Sequence, residues 1–354
     1  MTKTLLALAD RPERVGWMAP EVCRESVETT LEQLLSHVRL ESAFYFEVVA
    51  KAPWATLTPH MRNIGHVVMP EVQRVLPFHI MLDGEAWCWR ADDPSDKRWF
   101  KTGDILMLPR GCDHIIASTR SPNSVPEPDT EIYREAETSQ RPCTYVDIGG
   151  DGERASFVCG YFGVPRQSFH PLFDSLADLL ILTPTPEKWD LLQQLVGVAT
   201  REQSDRRTGG KLVTSRLAET MFIDAVHQHL LHLDPASTSG WLVALRDRNI
   251  SLALEALHSS PMHPWTVELL AKEARLSRSA FTERFQELIG RPPIQYLQSW
   301  RMQLAADQLA QTDKAIKCIA EDCGYAAETS FHRAFKHQTG YTPGAWRALH
   351  EVAR

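Results

Sequence analysis

LAKEARLSRSAFTERFQELIGRPP (270–293) and IAEDCGYAAETSFHRAFKHQTGYTP (319–343) carry one pattern twice. Phe281, Phe285, Gly290 and Pro293 recur fifty residues later as Phe331, Phe335, Gly340 and Pro343. Each copy reads as a short helix, a tight turn and a second helix, at about 266–290 and 315–340. In the first, Thr266 can cap a helix holding Leu269, Leu270 and Ala274. Ser277 caps the next, which Gly290 and Pro292-Pro293 end. In the second, Ile316, Ile319 and Ala320 face inward, Gly324 makes the turn and Gly340 ends the helix. Helical spacing then sorts the faces. Phe281, Phe285 and Leu288 form one stripe that must be buried, with Ser279, Thr282, Glu283 and Gln286 opposite. Phe331 and Phe335 do the same in the second copy, with Thr329, His332, Arg333 and Lys336 opposite.

Such a helix can lie in the major groove with its outer side chains on base edges. The alternative is a plain helical bundle with a solvated face. Two copies in phase, each ending in Gly-x-x-Pro, favour the first. Between them, Ile294 to Gln311 is a continuous helical pattern. At about 1.5 Å per residue it spans roughly 27 Å. Such a strut holds two helices about one DNA turn apart, near ~34 Å.

The stretch from about 246 to 347 resembles the DNA-binding domain of AraC/XylS-type transcription regulators. LSRSAFTERF, the joining YLQSWRMQLAADQL and GYAAETSFHRAFKHQTGYTP carry the likeness. The resemblance implies that Arg278, Ser279, Thr282 and Glu283 lie on the first recognition helix, and Thr329, Ser330, Arg333 and Lys336 on the second. Gln286 and His332 share the exposed faces. Glu283 departs from the cation or amide more usual there; a carboxylate can accept from cytosine N4 but is repelled by phosphate. The resemblance further implies double-stranded promoter or operator DNA and RNA polymerase as partners, a homodimer, and activation in preference to repression.

Upstream the pattern is different. FYFEVV (44–49), HVVM (66–69), FHIML (78–82), AWCWR (86–90), DILMLP (104–109), TYVDIGG (144–150) and ASFVCGYF (155–162) read as short strands. Turns are expected at Asp83-Gly84, Asp93-Pro94, Gly103-Asp104 and Pro109-Arg110-Gly111. The proline-rich acidic run at 121–142 reads as a solvated loop. Leu172, Leu176, Leu179 and Leu180 mark a short helix. Longer helices follow at Trp189–Thr200 and Leu212–Leu233, and the latter is the expected self-association surface.

GDILMLPRGCDH (103–114) resembles the second cupin motif and FHIMLDGEAW (78–87) the strand and turn of the first. The likeness extends over about 40–182, the sensor domain of one AraC subgroup. That subgroup includes regulators resembling the reactive-chlorine sensor, which use cysteine oxidation. Enzymatic cupins supply His-x-His and Glu before the turn plus a later His. Here only His79 has the parity to face the interior, and His114 is the later counterpart. Two histidines are too few for a closed metal site unless Cys112 or Glu85 assists. The expected cofactor is none, with His79 and His114 lining an effector pocket. Among the cysteines, Cys23 and Cys112 are the better redox candidates, with Cys88 and Cys143 behind them. Cys159, Cys318 and Cys323 read as small buried hydrophobes.

Composition agrees with this organisation. A chain of 354 residues suggests two domains at about 150 residues each. With 43% apolar and 23% charged residues it is neither disordered nor a disulfide miniprotein. No stretch reaches the roughly 18 apolar residues of a membrane helix, and the N-terminus does not read as a signal peptide, so a cytoplasmic location is expected. The net charge is −7, yet residues 249–354 carry 12 cations and 11 acids, so DNA contact rests on local placement. The fold expected is α+β with two domains. Residues 1–182 form a cupin-like antiparallel β-barrel, 183–240 a helical linker or dimerisation segment, and 241–354 an all-α tandem helix-turn-helix domain. The function expected is a non-enzymatic, sequence-specific transcription regulator under a small-molecule or oxidant signal. The rival is a metal-dependent cupin enzyme fused to a helical domain.

Overall fold

The computed structural model describes residues 30, 31, 33, 35, 40–70, 72, 74–126, 144–164, 171–205, 210–231 and 240–351. Two sheets make the N-terminal half. The first orders β10 (Leu180–Leu182), β6 (Ile105–Met107), β3 (Arg74–Asp83), β9 (Arg154–Val164), β1 (Glu41–Lys51) and β8 (Thr144–Gly149). The second orders β2 (Ala55–Thr58), β7 (His114–Ala117), β4 (Glu85–Arg90) and β5 (Asp93–Lys101). All neighbours run antiparallel except β1 and β8, which are parallel.

The central strands are buried on both faces, which is why FVCGYFGV reads as an unbroken apolar run. Val75 and Met81 of β3 face the second sheet with Phe100, Ile116 and Phe157. Leu76, Phe78 and Ile80 face the other way, into a core shared with the helices. His79 falls on the inter-sheet face by the same alternation.

Several local expectations are corrected. HVVM (66–69) is not a strand; it ends helix α1 (Met61–Val68), whose Met61, Ile64, Gly65 and Val68 are buried at helical spacing. Four residues are too few to show that period. The charged run from Asp93 is a strand, tolerated because β5 is an edge. The leucine-marked helix stops early, at α2 (Pro171–Ser175), and Leu180 opens β10. Helices α3 (Pro186–Asp205) and α4 (Gly210–Leu231) follow, slightly longer at their starts than expected. Most of the loop at 121–142 and the linker at 234–240 lie outside the described residues.

From residue 240 onward the chain is helical: α5 (Trp241–Arg246), α6 (Ile250–Ser259), α7 (Val267–Glu273), α8 (Arg278–Ile289), α9 (Pro293–Gln311), α10 (Ile316–Asp322), α11 (Glu328–Thr339) and α12 (Pro343–Glu351). Tyr296 and Trp300 of α9 complete a core with Phe281 and Phe285. Its far half, Met302 to Leu309, closes a second core with Phe331, Phe335 and Trp346. The strut is therefore packed into both repeats.

Candidate functional site

Each copy builds its outward helix from local signals. Thr266 Oγ1 accepts the Leu269 N–H at 3.3 Å and Ser277 Oγ accepts the Ala280 N–H at 3.3 Å, capping α7 and α8. Gly290 (φ 78°) and Gly340 (φ 79°) end α8 and α11 in the left-handed conformation, which glycine adopts without a Cβ penalty. Phe281, Phe285, Phe331 and Phe335 are fully buried. Their burial fixes the opposite faces toward solvent.

On α8, Arg278, Ser279, Glu283 and Gln286 are exposed and Thr282 half-buried. Arg278 pairs with Glu268 at 3.1 Å, and Thr282 Oγ1 donates to the Arg278 carbonyl at 2.9 Å. Arg284 turns back to Asp247 (2.9 Å) and Glu287 (2.6 Å). The cations of this helix are thus neutralised in place. On α11, Thr329, Arg333 and Lys336 are exposed, with Ser330 and His332 half-buried beside them. His332 lies 3.4 Å from Glu328. Among the described residues Arg333 and Lys336 form no ion pair, so both are available to a phosphate or a base edge.

Residues 30–231 match the family described as Cupin, and 270–349 match a helix-turn-helix domain. A putative AraC-like transcription regulator of Streptomyces antibioticus is 27% identical over 317 residues, covering 90% of this chain and 97% of that protein. The HTH-type transcriptional regulator AlkR of Acinetobacter baylyi is 27% identical over 322 residues, covering 90% and 98%. The chain belongs to the AraC-type transcription regulators. A solved DNA-binding domain, that of AdpA in complex with a target DNA, is 30% identical to this AraC-type regulator, with a TM-score of 0.27. It covers 29% of this chain and 96% of that one. The cupin half and the DNA-binding half are thus the two working parts of the molecule.

Inside the cupin half, His79 Nε2 and His114 Nε2 are 2.7 Å apart. His114 Nδ1 lies 3.0 Å from the Cys112 carbonyl, and His79 Nδ1 lies 3.0 Å from Cys159 Sγ. A carbonyl only accepts, so His114 Nδ1 carries the proton and its Nε2 accepts. His79 Nε2 then donates, and its Nδ1 accepts from the Cys159 thiol. Both rings are neutral in this chain. Burial pushes His114 down to about 4, and burial with the neighbouring ring pushes His79 well below the usual histidine range. Cys159 approaches the nitrogen of His79 that faces away from His114, and Glu85 is exposed. Among the described residues no group of three or more His, Cys, Asp or Glu is placed to hold a metal ion.

The cysteines separate by surroundings. Cys23 and Cys143 lie outside the described residues. Cys88 is buried and its thiol pushed up to about 12 by desolvation. Burial, then Asp178, also raises the half-buried Cys112, while Arg110 pairs with Asp178 at 3.0 Å. Cys318, expected inside, is exposed on α10, whose buried residues are Ile319 and Ala320. Cys159 is buried as expected, but it is also the partner of His79. Its cross-strand register with His79 carries the signal, and that pairing is invisible without the β3–β9 ladder.

Proposed function

We propose that this AraC-type regulator is a cytoplasmic transcription activator. It binds double-stranded operator DNA as a homodimer, contacts RNA polymerase, answers a small-molecule effector in its cupin half, and catalyses no reaction. The observation that carries this is the pair of outward helices, α8 and α11, joined by one strut packed into both cores. At about 1.5 Å rise per residue, α9 is about 28 Å long, close to the ~34 Å of one DNA turn. The raised thiols of Cys88 and Cys112 disfavour these two cysteines as oxidant sensors. The donor set around His79 disfavours the metal-dependent enzyme.

Selection of bound duplexes from a randomised pool tests the reading. The expected outcome is a site with two short conserved blocks centred about 10 base pairs apart, per protomer. Enrichment of one block only, or of none, overturns it. Sedimentation of the full chain with and without that duplex tests the homodimer.

A further inference from the structure

A groove of about 420 Å³ opens between the edge of the first sheet and helices α3 and α4. Ile105 of β6 and Leu182 of β10 form its floor, with Leu192 of α3 and Met221 of α4, all four buried. Leu191 (55% exposed) and Ile223 (41%) stand at its rim. Only five large apolar side chains are exposed among the described residues, and two of them line this one opening. Lys188 of α3 and Asp224 of α4 form an ion pair there, so the charges at the mouth cancel. The volume lies in the range of small-molecule sites, which are concave and mostly apolar.

The floor is continuous with the DNA-binding half. Phe222, next to Met221, meets Phe173 of α2 with ring centroids 5.0 Å apart. Ser175, at the end of α2, accepts the Trp241 backbone N–H on Oγ at 2.8 Å. The Trp241 indole N–H donates to Tyr296 Oη at 2.7 Å, inside the strut. His79 and His114 lie instead between the two sheets, whose core is a separate body of packed side chains.

We propose that this groove binds a neutral, apolar small molecule and is the effector site of the regulator. The proposal rests on the function proposed above. Occupancy braces α4 against the sheet, and the Phe222–Phe173 and Ser175–Trp241–Tyr296 contacts carry that restraint to the strut.

The test uses the full chain and two probes of one scaffold, N-phenyl-1-naphthylamine and its sulfonated analogue 8-anilinonaphthalene-1-sulfonate. Binding is read by fluorescence without DNA, so it stands apart from any failure to select an operator. The neutral probe is expected to bind at least about tenfold more tightly than the sulfonate. Leu191→Asp and Ile223→Asp, both at exposed rim positions, should each weaken it about tenfold with the circular dichroism unchanged. On the selected duplex, saturating neutral probe should shift affinity several-fold in the native chain and not in these variants. Equal or tighter binding of the sulfonate overturns the ligand class. Unchanged probe binding in both rim variants, or its loss in His79→Ala alone, overturns the site. Probe binding that leaves DNA affinity unmoved overturns the effector role. Conversion of a dimer to monomer by the rim variants, with probe binding intact, assigns the groove to a second copy and overturns the proposal.

Discussion

Arg275 (φ 56°) and Gly324 (φ 82°) occupy the same left-handed turn position in the two helix-turn-helix copies. The following residues confirm the equivalence: Leu276 N–H donates to the Ala271 carbonyl and Tyr325 N–H to the Ala320 carbonyl, at 2.9 and 3.0 Å. The geometry demands φ > 0, and only the second copy supplies glycine. A non-glycine residue there costs about 1–2 kcal/mol. Arg275→Gly is therefore expected to stabilise the first copy by about 0.5–1 kcal/mol after the entropy cost of glycine. Gly324→Ala should destabilise the second by about 1 kcal/mol. Denaturant titration of the full chain checks both, and equal, same-sign shifts would contradict the strain argument.

Arg333 and Lys336 of the second outward helix form no ion pair among the described residues. Arg333→Ala is expected to lose about 1–3 kcal/mol of discrimination at one base pair. Lys336→Ala should weaken all duplexes alike and lower the salt slope by about one. Affinities for the selected duplex and its single mismatches, at several salt concentrations, separate the two roles. Uniform weakening by Arg333→Ala would assign it to phosphate.

The neutral His114 makes stability pH-dependent. Unfolded, its imidazole takes a proton near pH 6.5; folded, only near about 4. The unfolded state binds the extra proton between these values, so stability falls as pH drops from about 6.5 to 4. The loss from this group is about 3 kcal/mol at about 1.4 kcal/mol per pH unit. Chemical denaturation across that window should show the slope. His114→Gln should flatten it, and an unchanged slope would mean that other groups carry it.

Thiol reactivity should follow exposure and not the neighbouring arginines. Cys318 is exposed, Cys112 is half-buried with a raised thiol, and Cys88 is buried at about 12. Under native conditions at neutral pH, iodoacetamide is expected to label Cys318 first among these three and Cys88 last. Peptide mass spectrometry gives the order. Early labelling of Cys88 would show that the inter-sheet core opens readily.

The DNA-reading half is legible in the chain's local pattern. Its helices are marked by nearby residues: Thr266 and Ser277 as caps, Gly290 and Gly340 as stops, and phenylalanines one turn apart. Helical hydrogen bonds and side-chain stripes join residues three or four apart, so a short window contains them. The alternation that turns His79 inward was legible for the same reason. The rest of the cupin half depends on long-range pairing. The charged segment from Asp93 became a strand because β4 offered an edge, and Leu180 became one because β6 did. His79 met Cys159, 80 positions away, across the β3–β9 ladder, and His114, 35 positions away, across the gap between the two sheets. The apolar groove likewise exists only where β6 and β10 come under α3 and α4. Such pairings are set by competition among distant segments for hydrogen-bond edges and apolar cover, and no local period records which one wins.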